Sequence, residues 1–309
     1  MTLFENYHHA SILVLGGTGF IGYHLIQRLA SLGADITSLG LSVENDISVD
    51  VCEHGKIKLA LKSKKFNYVF NLSGYIDHSY FLRGGSKIIS THYYALINFL
   101  ESLDLSKLKS FIQIGSSDEY GSALAPQSES MREAPISPYS AGKVAATHFI
   151  QMLSKTENFP GIILRLFLVY GPRQRVKRFL PTLIISCLNG LTFPVSEGNQ
   201  LRDFCYIDDV VNAMLLAGLS KQAFGEVINI ASGLPIKIAD VIAKVQVMIG
   251  KGHPKFSEIP YRVGENMSLY ADINKARKLL NWSPKIKFDE GLKKTIDWYK
   301  SRQLAEVFS

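Results

Sequence analysis

A tyrosine and a lysine four residues apart stand in the run Ser137-Pro138-Tyr139-Ser140-Ala141-Gly142-Lys143. Ser137 is a helix-capping residue type and Pro138 suits a first helical turn, so the spacing sets the phenol and the ammonium on one helical face. The ammonium there favours phenolate and is expected to lower the Tyr139 pKa from its usual ~10, making the phenol a proton donor or acceptor near neutral pH. A hydroxyl to bond the reacting oxygen is available in Gly115-Ser116-Ser117-Asp118-Glu119-Tyr120-Gly121, and Ser116 is assigned that part. A Tyr-x-x-x-Lys pair alone is common on surface helices. Its weight here comes from a second motif upstream.

Chemistry of this kind needs elements that hold the groups against a reactant. The run Ser11-Ile-Leu-Val-Leu-Gly16-Gly17-Thr18-Gly19-Phe20-Ile21-Gly22 is an apolar strand, a glycine-spaced turn and the start of a helix expected to reach Leu32, with Gly33 as its stop. A helix start offers unpaired amides and a positive dipole end, which hold phosphate without a charged side chain. Gly16 permits the tight turn, Gly19 the close approach of backbone to phosphate, and Gly22 the packing of helix on strand. The order of strand, turn and helix predicts a dinucleotide site.

Strand candidates follow at residues 12–15, 36–39, 47–49, 68–72, 111–114 and 162–167, alternating with helical stretches, as in a doubly wound parallel sheet. After Gly171-Pro172 the texture changes. Helices are predicted over 180–188, 208–219, 238–249, 271–280 and 288–299, with a strand over 227–230. The fold class read from this order is α/β, a Rossmann-type doubly wound parallel sheet with a smaller C-terminal α/β substrate lobe. Residues 1–170 form the dinucleotide-binding part and 171–309 mainly the lobe, with a segment at about 205–235 returning to the sheet.

The 309 residues, 47% hydrophobic and 20% charged, suffice for that architecture. No apolar run is long enough to span a bilayer, and residues 1–10 lack the layout of a secretory signal, so a cytoplasmic protein without membrane association is expected. Cys52, Cys187 and Cys205 contain no C-x-x-C pair, which speaks against a disulfide framework and a thiolate metal site. The net charge of +7 is dispersed, and its densest cluster, Arg173, Arg175, Lys177 and Arg178, suits a small anionic ligand better than nucleic acid.

Taken in order, these motifs resemble the extended short-chain dehydrogenase/reductases acting on nucleotide sugars, the NAD-dependent epimerase/dehydratases. The resemblance runs nearly end to end. It includes Asp50-Val51, Asn71-Leu72-Ser73-Gly74, the stretch from Leu164 through Tyr170-Gly171-Pro172, Arg202-Asp203-Phe204 before Tyr206-Ile207-Asp208-Asp209-Val210, and the closing Leu280-Asn281-Trp282-Ser283-Pro284. It implies NAD or NADP as cofactor, held by Gly16, Gly19, Phe20, Ile21, Gly22, Asp50, Val51, Leu72, Ser73 and Gly74 together with Tyr139 and Lys143. It also implies a nucleotide-diphosphate sugar as substrate, with Ser117, Arg178, Arg202 and Arg262 as contacts and Ser116, Tyr139 and Lys143 as catalytic residues. A guanidinium fork matches phosphate oxygens bidentately. The plainer role for Arg202 or Arg262 is an ion pair, with Asp203 and Glu265 at hand. A homodimer is implied through the segments 90–103 and 139–153.

Four departures mark this chain. The second strand ends Leu39-Gly40-Leu41-Ser42, with neither the acid of NAD users nor the arginine of NADP users. Leu168 and His92 stand where the family usually has asparagine. Aligned without a gap, the Ser116 loop puts Ser117 and Asp118 where dehydratases carry their Asp-Glu pair, and a one-residue slide would put Asp118 and Glu119 there instead. The ungapped form resembles reductases of 4-keto-6-deoxy nucleotide sugars. The expected activity is therefore redox at C4, then 4-epimerisation, then 4,6-dehydration, with a non-catalytic dinucleotide sensor as the reading from another class.

Overall fold

The computed structural model describes residues 4–261 and 264–307, with side chains up to residue 302. In chain order the elements are β1 (Ser11–Leu15), α1 (Phe20–Ser31), β2 (Asp35–Gly40), β3 (Ile47–Ser48), α2 (His54–Leu61), β4 (Tyr68–Asn71), α3 (Gly85–Ile89), α4 (Ala95–Ser102), β5 (Ser110–Ser116), α5 (Pro138–Glu157), β6 (Gly161–Leu166) and β7 (Leu168–Tyr170). Then come α6 (Phe179–Leu188), β8 (Thr192–Pro194), β9 (Leu201–Tyr206), α7 (Ile207–Leu219), β10 (Val227–Ile230), β11 (Pro235–Lys237), α8 (Ile238–Ile249), β12 (His253–Lys255), β13 (Ser268–Leu269), α9 (Asn274–Leu280) and α10 (Phe288–Val307).

Seven strands form one sheet in the order β10-β6-β5-β4-β1-β2-β3, all parallel. Its central strands are apolar on both faces because helices cover both. Alternation divides β1 cleanly. Ile12 and Val14 enter the core that runs under α7 into the C-terminal half, while Leu13 and Leu15 pack with Ala146 and Ile150 of α5. Six of these strands match the sequence candidates to within two residues, and the seventh, β10, is the later strand at 227–230 pairing with β6. The helix expected over 271–280 starts only at Asn274, because Ala271 bridges to Gln127 in an extended segment.

Register fixes where the site falls. Leu15 lies opposite Leu39 and Asn71, and Asn71 opposite Gln113, so β1, β2, β4 and β5 end along one edge of the sheet. That carboxyl edge is where open parallel sheets bind ligands. The C-terminal half adds a sheet of β11-β9-β13 with β7 on β9, and a β12-β8 pair. Asp203 clips it together from within: its buried carboxylate accepts from the Ser232 amide and hydroxyl, the Gly233 amide and the Ala271 amide.

Candidate active site

The glycine turn is built around the absence of Cβ atoms. Gly16 has φ +77°, and a Cβ there would lie 2.9 Å from the Leu72 carbonyl oxygen. At Gly22 a Cβ would come within 2.2 Å of the Gly16 carbonyl oxygen. Gly19 caps α1 without any side-chain hydrogen bond, so the leading amides of a twelve-residue helix are left for a ligand. This cradle fits a dinucleotide pyrophosphate. Beside it opens a cavity of about 620 Å³ lined in part by Thr18, Gly19, Phe20, Arg173 and Arg175, the Arg173 guanidinium lying 3.9 Å from the Tyr23 ring centre.

From this turn a continuous line of contacts leads to the tyrosine. Asn71 shapes the Leu72-Ser73-Gly74 segment by accepting from the Ser73 amide at 3.1 Å and hydroxyl at 2.5 Å. Gly74, at φ +113°, leaves room for the His92 ring, which would lie 2.3 Å from a Cβ there. His92 sits in a π-helical turn, Ser90–Tyr94, and its ring meets Tyr139 edge-on at 4.9 Å. The structure thus brings Gly16, Leu72, Ser73, Gly74 and Tyr139 together. Asp50 turns the chain by accepting from the Cys52 amide at 2.9 Å, and Val51 packs in the core beside Leu13, Leu15 and Leu39.

Ser137 caps α5 as predicted, with Pro138 in its first turn, and Ser140 completes a capping box with it. Tyr139 and Lys143 are both buried. Lys143 Nζ donates to the Ile114 carbonyl at 2.8 Å and lies 6.0 Å from the Tyr139 ring centre. The expected depression of the phenol pKa is absent. Burial pushes Tyr139 upward, the Ser116 hydroxyl pulls it back, and the charges of Asp118 and Glu119 raise it further. Desolvation instead acts on the lysine, bringing Lys143 down to about 8 against the attraction of Glu119. The same burial, with the Lys143 charge beside it, lowers His92 to about 3. His92 is then neutral, with its Nε2 proton on the Tyr75 carbonyl at 2.9 Å and its buried Nδ1 without a hydrogen-bond partner among the described residues.

Ser116 ends β5 and caps the short turn Ser117–Tyr120, its Oγ accepting from the Asp118 amide at 3.2 Å. Ser117 is buried in that turn. Glu119 is fully buried: Oε1 accepts from the Ser116 amide at 2.8 Å, and Oε2 from Thr147 Oγ1 at 2.8 Å and Arg165 Nε at 2.9 Å. Arg165 also reaches Glu133 at 2.6 Å and stacks 4.7 Å from the Tyr120 ring centre. A glutamate so engaged is turned toward Arg165 and Thr147, and Asp118 is the more exposed carboxylate of the loop.

Other expected ligand residues fall as follows. Arg178 is exposed at the start of α6, and its charge reaches Tyr139. Arg202 is paired with Glu265 and donates to the Leu201 carbonyl at 2.8 Å, so the ion-pair role is the one adopted. Arg262 lies outside the described residues. Sequence reasoning missed the Glu119-Arg165-Glu133-Thr147 network, whose members are scattered over four segments. It also missed Asp46, whose Oδ2 accepts from the Ser38 amide at 2.8 Å and hydroxyl at 2.7 Å and so brings a carboxylate beside β2. Among the described residues no cluster of His, Cys, Asp or Glu is placed to hold a metal ion, and no helix is long and apolar enough to cross a membrane.

The chain is 27% identical to dTDP-glucose 4,6-dehydratase of Haemophilus influenzae, over 94% of this chain and 97% of that protein. Its fold is similar to that of UDP-glucose 4-epimerase from Thermotoga maritima solved with UDP-glucose, with a TM-score of 0.88, 25% identity, and 95% and 99% of the two chains covered. It is also similar to UDP-glucuronic acid 4-epimerase from Bacillus cereus solved with NAD, with a TM-score of 0.82, 29% identity, and coverage of 94% and 99%. The sequence pattern shared by NAD dependent epimerases and dehydratases matches residues 12–231, the span that carries the glycine turn, the Ser116 loop and the Tyr139 helix. On that match, the chain belongs to the NAD dependent epimerase/dehydratase family.

Proposed function

We propose that this enzyme works by NAD-dependent hydride transfer at C4 of a nucleotide-diphosphate sugar, with reduction of a 4-keto sugar as its net direction. The observation that carries the reading is geometric: the buried Tyr139 phenol has the Ser116 hydroxyl as a hydrogen-bond neighbour and Lys143 one helical turn on, 6.0 Å from its ring centre. A phenol that keeps its proton until the ligand binds is set to deliver it to a ketone oxygen. Ser116 hydrogen-bonds the same oxygen, and Lys143 holds the ribose next to Tyr139. NAD, when bound, supplies the hydride acceptor or donor; Gly16, Gly19, Phe20, Ile21 and Gly22 would hold its pyrophosphate, Asp50 and Val51 its adenine, and Leu72, Ser73 and Gly74 would flank it. Asp46 beside β2 favours NAD over NADP, since a carboxylate repels a 2′-phosphate.

Ser117, Arg178, Arg202 and Arg262 are the proposed contacts to the sugar diphosphate, Arg202 after release from Glu265. A homodimer through residues 90–103 and 139–153 is part of the same reading. Tyr94 and Met152 are apolar surface left exposed on those segments, which supports it. Epimerisation at C4 is the second reading, supported by the 4-epimerases among the similar structures. Dehydration stands behind it, because Ser117 replaces the expected acid and Glu119 is tied to Arg165.

The test is to mix the purified protein and nicotinamide dinucleotide with UDP-glucose, dTDP-glucose and their 4-keto-6-deoxy derivatives. Consumption of reduced nicotinamide with a keto sugar supports net reduction. Product without net nicotinamide change transfers the assignment to epimerase, or to dehydratase where the product has lost water. No chemistry with Tyr139 intact, alongside tight dinucleotide binding, defeats the enzymatic reading in favour of a sensor.

A further inference from the structure

Tyr139 is flanked by a second histidine that the C4 chemistry does not use. The His78 ring meets Tyr139 edge-on at 5.8 Å, and its Nε2 lies 3.7 Å from Asp118 Oδ2. The two side chains are 45% and 31% exposed, so a ligand lying against Tyr139 can reach them, in contrast to the buried His92 on the same ring. The placement is built from two sides. Asp77 shapes the His78 loop by accepting from the Ser79 amide at 2.8 Å and hydroxyl at 2.6 Å. Asp118 is fixed by the Ser116 turn, its amide donating to Ser116 Oγ. An imidazole facing a carboxylate beside a reactive hydroxyl is the arrangement of a general base with its orienting group.

We propose that His78, positioned by Asp118, is a second proton-transfer residue that acts on a ring carbon flanking C4 of the sugar. The inference rests on the C4 reading, because only a carbonyl at C4 makes the hydrogens on its neighbours acidic. With Nε2–H facing the Asp118 carboxylate, the lone pair is on Nδ1. That lone pair takes the proton from C3 or C5; the C–H bond breaks, its electron pair forms a carbon–carbon double bond to C4, and the C4 oxygen becomes an enolate held by Tyr139 and Ser116. The imidazolium produced is balanced by Asp118. Return of the proton from Nδ1 regenerates the ketone, on the same face or, where the ring has turned, with inversion at that carbon. No oxidant or further reactant is consumed. Asp118 acts through His78 rather than on the sugar and is a positioning residue.

The experiment is to incubate the full-length protein in D2O with dTDP-4-keto-6-deoxyglucose, first with oxidised and then with reduced NAD. Recovered sugar is read by mass spectrometry and NMR, and consumption of reduced nicotinamide is followed in parallel. The expected result is deuterium at C3 or C5 faster than in a protein-free control. The ratio of exchange to reduction should fall at least tenfold in His78→Gln. Asp118→Asn should lose exchange with little change in KM, and Asp118→Glu should restore part of it, which a merely structural aspartate would not give. Reduction without deuterium incorporation overturns the proposal and leaves the C4 reading standing, as does exchange undiminished in His78→Gln. Neither reduction nor exchange with this keto sugar and with the UDP form defeats both.

Discussion

Glu119 and Arg165 meet at 2.9 Å with both side chains fully withdrawn from solvent, and the same carboxylate fixes the Ser116 amide and the Thr147 hydroxyl. Removing one partner of a buried pair strands the other charge. Glu119→Gln is expected to cost about 3–5 kcal/mol, read as a lower denaturant midpoint at constant slope. Because Ser116 hangs on the same group, kcat should fall in the fraction that remains folded. A change under about 1 kcal/mol would show that Glu133 alone satisfies the guanidinium.

Tyr139→Phe removes the hydroxyl and leaves the packing against His92. Turnover should drop by about 10²–10⁴, the usual range for a lost general acid, while dinucleotide affinity falls far less. Isothermal calorimetry beside steady-state rates separates the two. Retained turnover would remove Tyr139 from the chemistry.

The ammonium of Lys143 loses its proton near pH 8 rather than 10.5, because burial disfavours the charge. kcat/KM should therefore decline on the alkaline side with an apparent pKa of about 8. Stability moves the other way. Between about 8 and 10.5 the unfolded chain holds the proton that the folded one has released, so unfolding free energy rises with pH across that window, and below it the penalty for the buried charge is fully present. Lys143→Met should flatten this part of the stability profile, and an unchanged slope would refute it.

Arg202 is engaged by Glu265. If the guanidinium must leave that partner to hold a diphosphate, Glu265→Gln lowers the competition, and UDP should bind several-fold to about tenfold more tightly, the equivalent of up to about 1.4 kcal/mol. Equal affinity in both proteins would make Arg202 a scaffold residue.

Gly22→Ala puts a methyl carbon 2.2 Å from the Gly16 carbonyl oxygen, against backbone that cannot yield cheaply. Dinucleotide binding should weaken at least tenfold, with a loss of about 1–3 kcal/mol in stability. Gly55→Ala in α2, where the added carbon meets nothing within 4 Å, is the control and should gain about 0.4–1 kcal/mol. Similar effects from both would show that the turn tolerates a side chain.

The sheet was legible because alternation and glycine spacing are local. Ile12, Val14 and the run to Gly22 announce strand, turn and helix within a dozen residues, and Ser137-Pro138 announces the start of α5. What escaped depends on burial and on distant partners. The upward shift of Tyr139 follows from how completely α5 covers it, a quantity no four-residue spacing contains. Glu119 reads like a candidate acid until Arg165, 46 residues on, is seen beside it. The Arg202 pairing had a signal in the sequence, since Glu265 was at hand, but choosing it required the fold of β9 against β13.

The strand Val227–Ile230 completes the nucleotide-binding sheet only after the chain has made α6, β8, β9 and α7 of the other half. During synthesis, β6 therefore waits with an open apolar edge until residue 230 has left the ribosome, a period in which it can pair with a neighbouring chain. A fragment cut at the apparent boundary near residue 170 would carry that edge permanently, and should be recovered as aggregate rather than as an independent nucleotide-binding unit.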